Sequence, residues 1–436
     1  MRKVSLLATF LVALIAGGGS YSAEKRTLPL LGADWIRYDE QPPYCGGPPI
    51  IVHYHEPGIR TRLQAQLAAM RAAGMRALRL FVYHASDVRD QSNWLVSSAG
   101  GRLAEPYRTN LAEFLDDVRA AGFTSMTVTF NPWFENDPVG YTQAPFDPSL
   151  VDENWRFITD IRPIVKEHGP ATTWIDLINE GAPDDWQPQL RDYVSELWRR
   201  YADAFGTSDV VVSTIVKSDE GGTTSRLTNL IDLFRQAGRG MPAAFQIHPS
   251  WSETGALRDL NSADAVLTRA HLPQPLLIGE EMYNSAGAGR GIATFIGASQ
   301  RPVLEILEWP LASAKPPGGT WSVCPHSPYR IAAYARALGL KPFTLAARVS
   351  TATLKSAGIR VTTALGAGSY TVFVNDDSAK DGFRVASGRQ VHRTGRRFRG
   401  IVRWKLRLVE GTPLIYGSLR QGKRRSVLVL GDGYSH

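Results

Sequence analysis

Apolar and polar residues follow one repeating order along residues 30–338. A short apolar run is followed by a loop with polar and aromatic residues, and then by a stretch in which apolar residues recur at helical spacing. Eight apolar runs begin such a unit. They are Leu30 to Ile36, Arg76 to Tyr83, Thr124 to Phe130, Thr172 to Asn179, Asp209 to Ile215, Ala243 to His248, Pro275 to Glu280 and Val303 to Trp309.

Helix-period segments separate these runs. Ile59 to Ala73 and Tyr107 to Ala121 are each followed by a glycine, Gly74 or Gly122, a common residue just past the last helical turn. Strand followed by helix, eight times over, predicts an α/β protein with a closed (β/α)8 TIM barrel. An open doubly wound sheet is the alternative, but no glycine-rich phosphate-binding sequence follows the first run. Further helices are predicted at 151–168, 189–205, 225–237, 253–269 and 328–338.

The helical period ends after residue 342. Short β-type runs follow, separated by glycine and polar clusters at turn-like intervals. The chain therefore divides into a barrel over residues 23–342 and a small antiparallel β domain over residues 343–436. The β-type runs are 343–349, 359–364, 369–375, 401–409, 413–418 and 426–430.

The first 22 residues have the pattern of a secretory signal peptide. A basic pair at positions 2 and 3 precedes an apolar stretch from Leu6 to Ala16, and small and polar residues follow up to Ser22. The apolar stretch is too short for a permanent membrane helix, and no comparable segment occurs later. We expect cleavage near Ser22 or Ala23 and a protein that is periplasmic or secreted.

Charge divides the chain in the same way. The whole chain carries +8, but residues 345–436 hold 17 Lys plus Arg against 5 Asp plus Glu, a net charge of +12. Such a basic surface, with Arg396, Arg397 and Arg399 around one aromatic, would attract an anionic polysaccharide or cell-envelope polymer. A solvated basic face that only aids solubility is the alternative. We expect no nucleic-acid partner for an exported protein.

Two glutamates stand at the ends of predicted strands. The fourth run, ATTWIDLINEGAP, ends in Asn179 and Glu180, and the seventh, PLLIGEEMYN, ends in Glu280. The carboxyl ends of barrel strands share one mouth, where the loops form the pocket. Two carboxyl groups facing each other there suit cleavage of a glycosidic bond with retention, which needs them about 5 to 5.5 Å apart. Glu281 is the alternative to Glu280, but neighbours in a strand point to opposite faces.

The motifs LINEG and LLIGE resemble the retaining glycoside hydrolases of clan A, which include cellulases, mannanases and β-glucosidases. The resemblance covers the barrel and not the tail. It implies that Glu180 is the general acid/base, that Glu280 is the nucleophile and that Asn179 hydrogen-bonds the sugar 2-hydroxyl. Arg79 in RALRLFVYH matches the clan's strand-two arginine, and Trp309 in ILEWPL matches its strand-eight tryptophan beneath the sugar.

The sixth run, FQIHPSW, partly follows the same clan. His248 stands where clan members usually have a histidine, but Ser250 replaces the tyrosine that often contacts the nucleophile. Trp251 and Tyr283 are the candidate substitutes for that tyrosine.

The third run departs further. It ends in NPWF, with Asn131 and Trp133, where some clan families carry histidine, and this departure leaves the family unassigned. Aromatic side chains near the same mouth are expected to stack on sugar rings, some of them being structural instead. Besides Trp133, Trp251 and Tyr283, they are Trp35, Tyr38, Tyr83 and Phe134.

The chain has two cysteines. Cys45 follows strand one and Cys324 follows strand eight, and these strands are neighbours in a closed barrel. We therefore predict a disulfide, which requires Cα atoms within about 7 Å; two unrelated free thiols are the alternative. The nine histidines show no paired helical spacing, so no metal site is expected, and the proposed chemistry needs no cofactor.

These observations favour a monomeric, secreted β-glycoside hydrolase that cleaves a poly- or oligosaccharide by double displacement. Two alternatives stay open. The first is a non-catalytic carbohydrate-binding protein on the same barrel. The second is a transglycosylase that uses the same two glutamates but transfers the sugar to another sugar.

Overall fold

In a computed structural model of the protein, the described residues comprise most of the barrel and separate strands beyond it. The barrel is described over 28–35, 50–73, 75–140, 144–215, 223–250, 252–282 and 286–309. The strands beyond it are 313–314, 322–323, 348–350, 369–374, 403–408, 415–421 and 424–432.

The central sheet contains eight strands that match the eight apolar runs, and a further two-residue strand, Val96–Ser97, pairs in parallel with His84 and Ala85 at the end of the second strand. The fifth, β5, is interrupted by the single residue Val212. The strands are β1 (Leu30–Trp35), β2 (Ala77–Ala85), β3 (Ser125–Pro132), β4 (Thr172–Asp176), β5 (Val210–Val211 and Ser213–Ile215), β6 (Phe245–His248), β7 (Leu276–Met282) and β8 (Val303–Trp309).

All neighbouring strands in this sheet are parallel. The order begins at the first half of β5, passes through β4, β3, β2, β1, β8, β7 and β6, and ends at the second half of β5. Because only Val212 separates the two halves of β5, the sheet returns to its own start. The predicted TIM barrel is confirmed.

Helices occupy the connections between the strands. The predicted helices at 59–73, 151–168 and 253–269 have the same bounds in the structure, whereas the helix predicted at 328–338 lies outside the described residues. The helices are α1 (Ile50–His53), α2 (Ile59–Ala73), α3 (Tyr107–Ala120), α4 (Val151–His168), α5 (Pro188–Phe205), α6 (Thr223–Ala237), α7 (Glu253–Arg269) and α8 (Ala286–Ala298).

Helix α8 was not predicted, because its sequence, AGAGRGIATFIGA, is rich in glycine, a poor helix former. Packing explains why it forms. A Cβ atom at Gly291 would lie 2.3 Å from the carbonyl oxygen of Glu253, so glycine lets α8 approach α7 closely. Tertiary contact thus outweighs local propensity in this connection.

The barrel interior contains an apolar part and a polar part. Trp174, Val211, Ala244 and Leu277 form a small apolar cluster apart from the main core between sheet and helices. In the polar part, the buried side chain of Arg79 contacts Asp34, Asp176 and Glu280, the last of which lies near the carboxyl end of β7. Polar groups therefore form the floor beneath the mouth of the barrel.

Antiparallel strands follow the barrel. Ser313–Ala314 (β9) pairs with Ser322–Val323 (β10). A five-stranded antiparallel sheet has the order β11, β12, β15, β14, β13. Its strands are β11 (Arg348–Ser350), β12 (Ser369–Val374), β13 (Arg403–Leu408), β14 (Ile415–Gln421) and β15 (Arg424–Asp432).

These strands agree with the predicted antiparallel region, and the domain boundary at residue 342 stays a prediction. The predicted signal peptide, the run at 359–364 and both Cys45 and Cys324 lie outside the described residues. Within the described part of the chain, no helix combines the length and apolar character needed to cross a membrane.

Candidate active site

The turn after β4 presents Glu180. The strand ends at Asp176, earlier than the predicted end at Asn179, so the Asn-Glu pair lies in the turn and not in the strand. Glu180 has a φ of +52°, in the left-handed region that residues other than glycine seldom adopt. Its backbone N–H donates to Ser213 Oγ at 2.8 Å. The neighbouring strand β5 therefore holds the turn in this unusual conformation.

Strand β7 contains one extra residue near its carboxyl end. Ile278 pairs with Ile306 and Glu281 with Glu308, so three steps along β7 match two steps along β8. A bulge of this kind breaks the alternation of side chains and redirects them. Glu280 lies in the bulge, and its carboxylate contacts groups inside the barrel.

Glu180, His248 and Glu280 converge at the mouth of the barrel. One carboxylate oxygen of each glutamate and one ring nitrogen of His248 all lie within 4.8 Å of one another. His248 Nδ1 is 3.0 Å from Glu180 Oε1 and 3.6 Å from Glu280 Oε1. Both glutamate side chains are 14% exposed, so they are reachable from solvent but largely enclosed. The structure thus brings these three predicted site residues together.

Arg79 forms the centre of the buried floor. Its side chain is fully buried, and each of its five N–H groups has an acceptor. Its guanidinium also stacks over Phe81, 4.4 Å from the ring centroid. The acceptors are Thr129 Oγ1 (2.8 Å), Asp34 Oδ2 (3.5 Å), Glu280 Oε1 (2.5 Å), Asp176 Oδ2 (3.1 Å) and Asn179 Oδ1 (2.7 Å).

The carboxylates around Arg79 influence one another. Burial lowers the pKa of Arg79, but the charges of Asp34, Glu280 and Asp176 outweigh it, so the pKa is raised above its usual value. Burial is also the largest influence on Asp34 and raises the pKa of that carboxyl well above its usual range, against the lowering effect of Arg79. Arg79 therefore compensates a group of acidic side chains that could not be buried without it.

Opposing effects act on the pKa of the Glu280 carboxyl group. Burial raises its pKa, and so does the charge of Glu180, whereas His248 and Arg79 lower it; the net shift is upward. Burial lowers the pKa of His248 to about 4, so its ring is neutral near pH 7. The pair of glutamates thus sits between a permanent cation and a neutral ring.

Asn179 is oriented by the same arginine. Its Oδ1 accepts from Arg79 at 2.7 Å, and its side chain is 8% exposed. Because the oxygen faces Arg79, the two N–H groups of the amide remain as donors. This orientation suits a hydrogen bond to a sugar hydroxyl.

The cluster of Glu180, His248 and Glu280 also meets the distance requirement for a shared metal ion. The expectation of no metal site depends on histidine spacing within helices and on the lack of a carboxylate loop of the calcium type, and neither pattern detects residues that come from three different segments. A cation at this cluster would lie beside the guanidinium of Arg79, which contacts Glu280 at 2.5 Å. Charge repulsion therefore disfavours a metal ion at this position.

Asn131 and Trp133 lie at the carboxyl end of β3 and in the turn after it. Asn131 is 8% exposed, and Trp133 belongs to an aromatic cluster. The Trp133 ring packs edge-on against Trp94 with centroids 4.2 Å apart, and against Tyr83 and Phe134 at 6.3 and 6.1 Å. These rings support one another, so part of the predicted aromatic surface has a structural role.

Three other predicted site residues lie wholly or partly outside the described residues. Trp251 and Tyr283 lie outside the described residues, and only the backbone of Trp309 is described, at the end of β8. Ser250 donates its backbone N–H to Asp259 Oδ2 in α7 at 2.8 Å. The described contacts of the Glu280 carboxylate are with Arg79 and His248.

Several residues of the site were missed in the sequence. Each is a fully buried polar residue within an apolar strand, and that pattern was the available signal. Trp186, six residues after Glu180, was also missed; it is 74% exposed, more than any other described tryptophan. The missed interior residues are Asp34, Thr129, Asp176, Ser213 and Gln246.

No protein-family model and no curated protein matches the chain. Among solved structures, the chain is similar to a β-1,4-D-mannanase from Cryptopygus antarcticus (TM-score 0.47, 14% identity, 72% of this chain and 90% of that chain). It is also similar to an endo-1,4-β-mannanase from Eisenia fetida (TM-score 0.44, 14% identity, 72% and 91%). A mannohexaose complex of a β-mannanase from Thermomonospora fusca is a third (TM-score 0.40, 16% identity, 66% and 80%). At this similarity, the side-chain geometry of the site is the basis for inferring a function.

Proposed function

We propose that the chain is a retaining β-glycoside hydrolase of the clan A type. The observation that carries this proposal is the pair of carboxylates, Glu180 and Glu280, whose oxygens come within 4.8 Å of each other beside His248. Retaining enzymes keep their two carboxyl groups about 5 to 5.5 Å apart, whereas inverting enzymes need a gap of roughly 6.5 to 9.5 Å for a water molecule. The short separation favours retention.

The contacts of each glutamate support different roles. Burial gives Glu280 a net upward shift in pKa, but the permanent cation Arg79, at 2.5 Å, acts against that shift and favours the ionised form that a nucleophile requires. Glu180 faces His248, which is neutral near pH 7. We therefore infer that Glu280 is the nucleophile and Glu180 the general acid/base.

The reaction proceeds in two displacements. In the first, a Glu280 oxygen attacks the anomeric carbon while the bond to the leaving oxygen breaks, and Glu180 gives its proton to that oxygen. In the second, Glu180 takes a proton from water, the water oxygen attacks the same carbon, and the bond to Glu280 breaks. Asn179 donates a hydrogen bond to the sugar 2-hydroxyl during both steps.

The substrate class that fits is a poly- or oligosaccharide. Sugar rings pair an apolar face with hydroxyl groups at the edge, and the mouth offers aromatic rings beside buried polar groups. Residues 1–22 favour export, so we infer that the enzyme meets its substrate in the periplasm or outside the cell. An N-terminus beginning near Ala23 in the exported protein would support this location.

The decisive experiment combines a glycan panel with variants of both glutamates. Aryl β-glycosides, glucans and mannans are screened with wild type, and the first products are followed by NMR. Glu280→Gln should lower turnover by roughly four orders of magnitude or more, because no covalent intermediate forms. Glu281→Gln is the matched control and should keep most of the activity.

A chemical test distinguishes the two roles. Azide added to Glu280→Ala should give a glycosyl azide whose anomeric configuration is inverted relative to the substrate. Azide added to Glu180→Ala should give one that keeps the anomeric configuration of the substrate. Products of inverted configuration from wild type, or full activity of Glu280→Gln, would contradict the proposal. Sugar binding without turnover in wild type would favour the non-catalytic alternative.

A further inference from the structure

Gln246 lies inside the barrel, two residues before His248 on β6, and is fully buried. We propose that Gln246 is a positioning residue that holds the His248 ring in the tautomer with its proton on Nδ1, so that His248 donates a hydrogen bond to Glu180. The link from this tautomer to catalysis rests on the proposed function, whereas the tautomer itself does not.

The orientation of the Gln246 amide follows from its neighbours. Its Nε2 lies 3.4 Å from Asp176 Oδ2 and 3.4 Å from His248 Nε2. The same Asp176 carboxylate also accepts from Ser213 and Arg79, so it faces donors on several sides. If the amide were turned over, its oxygen would lie against a carboxylate oxygen, and two acceptors would repel each other. The amide nitrogen therefore faces both Asp176 and His248.

This orientation determines the roles of the two ring nitrogens of His248. An N–H of Gln246 that points at His248 Nε2 requires a lone pair on that nitrogen. A neutral imidazole carries one proton, which must then reside on Nδ1. Nδ1 lies 3.0 Å from Glu180 Oε1, so the ring donates and the glutamate accepts.

Gly279 provides the space for Gln246. A Cβ atom at position 279 would lie 2.5 Å from Gln246 Nε2 and 2.7 Å from its Cδ. The glycine immediately before Glu280 therefore lets the amide pack against β7. Gln246 Oε1 is buried without a hydrogen-bond partner among the described residues, so the nitrogen makes the polar contacts of this side chain.

The tautomer of His248 affects the step in which Glu180 protonates the leaving group. With the proton on Nδ1, His248 donates to one oxygen of Glu180, and the acid proton on the other oxygen stays available to the leaving group. With the proton on Nε2, the Nδ1 lone pair would face Glu180 and would accept a hydrogen bond from the acid proton, which would then point at the ring and not at the leaving group. The arrangement of Gln246 therefore directs the proton of Glu180 to the sugar oxygen and away from the ring.

The first test measures the tautomer directly. The enzyme is labelled with ¹⁵N-histidine, and the signals of His248 are assigned by their loss in His248→Asn. We expect wild type to carry the proton on Nδ1 at pH 7, and Gln246→Met to move it to Nε2, which is the favoured tautomer of a free imidazole. Gln64→Met is the control, because Gln64 also donates to a carboxylate, that of Asp117, far from the site.

Wild type alone can overturn the proposal: a proton on Nε2 of His248 would contradict it, even if no variant folds. A folded Gln246→Met that keeps the proton on Nδ1 would contradict it as well. Neither result depends on turnover, so the failure of this inference is distinct from failure of the proposed function.

The second test uses the leaving group. Gln246→Met should lower kcat/KM, which reports the first displacement, roughly ten-fold or more on an unactivated glycoside that needs the acid proton, and leave kcat/KM of a dinitrophenyl glycoside nearly unchanged. A merely structural role would lower both rates equally, and such an equal loss would contradict the assignment of Gln246 as a positioning residue.

Discussion

Ser213 and Glu180 are joined by a hydrogen bond of 2.8 Å, in which the Ser213 hydroxyl accepts the backbone N–H of Glu180. The same hydroxyl donates to Asp176 Oδ2 at 2.8 Å. One buried serine thus connects the end of β4 to the turn that contains Glu180. In this turn, the backbone of Glu180 has a φ of +52°. A backbone conformation of this kind persists where surrounding contacts hold it.

Removing this hydroxyl should disturb the turn. In Ser213→Ala, the N–H of Glu180 and one oxygen of Asp176 lose a partner, so we expect a loss of about 1 to 3 kcal/mol in the free energy of unfolding. We also expect a fall in kcat, because Glu180 is less firmly placed. Urea denaturation and steady-state kinetics measure the two effects.

The control for this prediction is Ser125→Ala. Ser125 is equally buried, and its hydroxyl donates to Glu305 away from Glu180. It should lose stability without a comparable loss of kcat. Equal kinetic effects of the two substitutions would mean that the turn at Glu180 does not depend on Ser213.

Arg79→Lys should be far more damaging than its charge conservation suggests. An ammonium group cannot serve the five acceptors that the buried guanidinium serves, and it leaves Asp34 and Asp176 poorly compensated. We expect about 3 to 5 kcal/mol of lost stability, together with a large loss of kcat/KM.

Arg301→Lys is the matched control for Arg79. Arg301 is 6% exposed, pairs with Asp264 at 2.6 Å and donates to the Leu272 carbonyl at 2.9 Å. It has no described contact with either glutamate of the site. Thermal unfolding should show destabilisation in both variants, and loss of activity in the folded fraction should be specific to Arg79→Lys.

The buried carboxyl group of Glu305 should make the stability of the protein depend on pH. Burial raises its pKa to about 7, although Ser125 and Trp174 donate hydrogen bonds to it. Since the pKa is higher in the folded state, folding favours the protonated form. Stability is then highest below the unfolded pKa and falls as pH rises towards 7.

Glu305→Gln mimics the protonated carboxyl and should remove this dependence. At pH 8 the variant should gain on the order of 3 kcal/mol at most over wild type, and at pH 4 the two should be similar. Urea denaturation across pH 4 to 8 measures the difference. A variant that is less stable than wild type at pH 8 would contradict the expectation.

Trp186 should contribute to the binding of long glycans. The loop that contains Trp186 is held against α6 by two contacts: Asp184 pairs with Arg226 at 2.5 Å, and Asn229 donates a hydrogen bond to the Pro183 carbonyl at 3.0 Å. An exposed indole on such a fixed loop, six residues after Glu180, suits stacking on a sugar ring.

In Trp186→Ala, we expect KM for a polymeric substrate to rise roughly five-fold, for about 1 kcal/mol of lost stacking. The KM of a short aryl glycoside should not change. Trp186→Phe keeps an aromatic ring and should retain most of the affinity. An unchanged KM for the polymer in Trp186→Ala would exclude this contact.

Some boundaries of the regular elements followed from local pattern. Helices α4 and α7 begin and end where the sequence predicted, because helical periodicity is a property of neighbouring residues. Helix α8 was missed, because its stability comes from close packing of Gly291 against α7, which is a contact between distant residues.

By itself, the sequence determined that strands and helices alternate around a barrel and that Asn179, Glu180 and Glu280 lie near the carboxyl ends of β4 and β7. These conclusions depend on the periodicity of apolar residues and on where glycine ends a run. Both are encoded within short segments of the chain.

Only the tertiary structure determined the orientation of these side chains. The bulge in β7 depends on pairing with β8, and its effect on Glu280 overrides simple alternation. The left-handed turn at Glu180 depends on a serine 33 residues away. The buried polar floor under the two glutamates joins residues from several strands. Such contacts are set by the closure of the barrel, which no local pattern in the chain records.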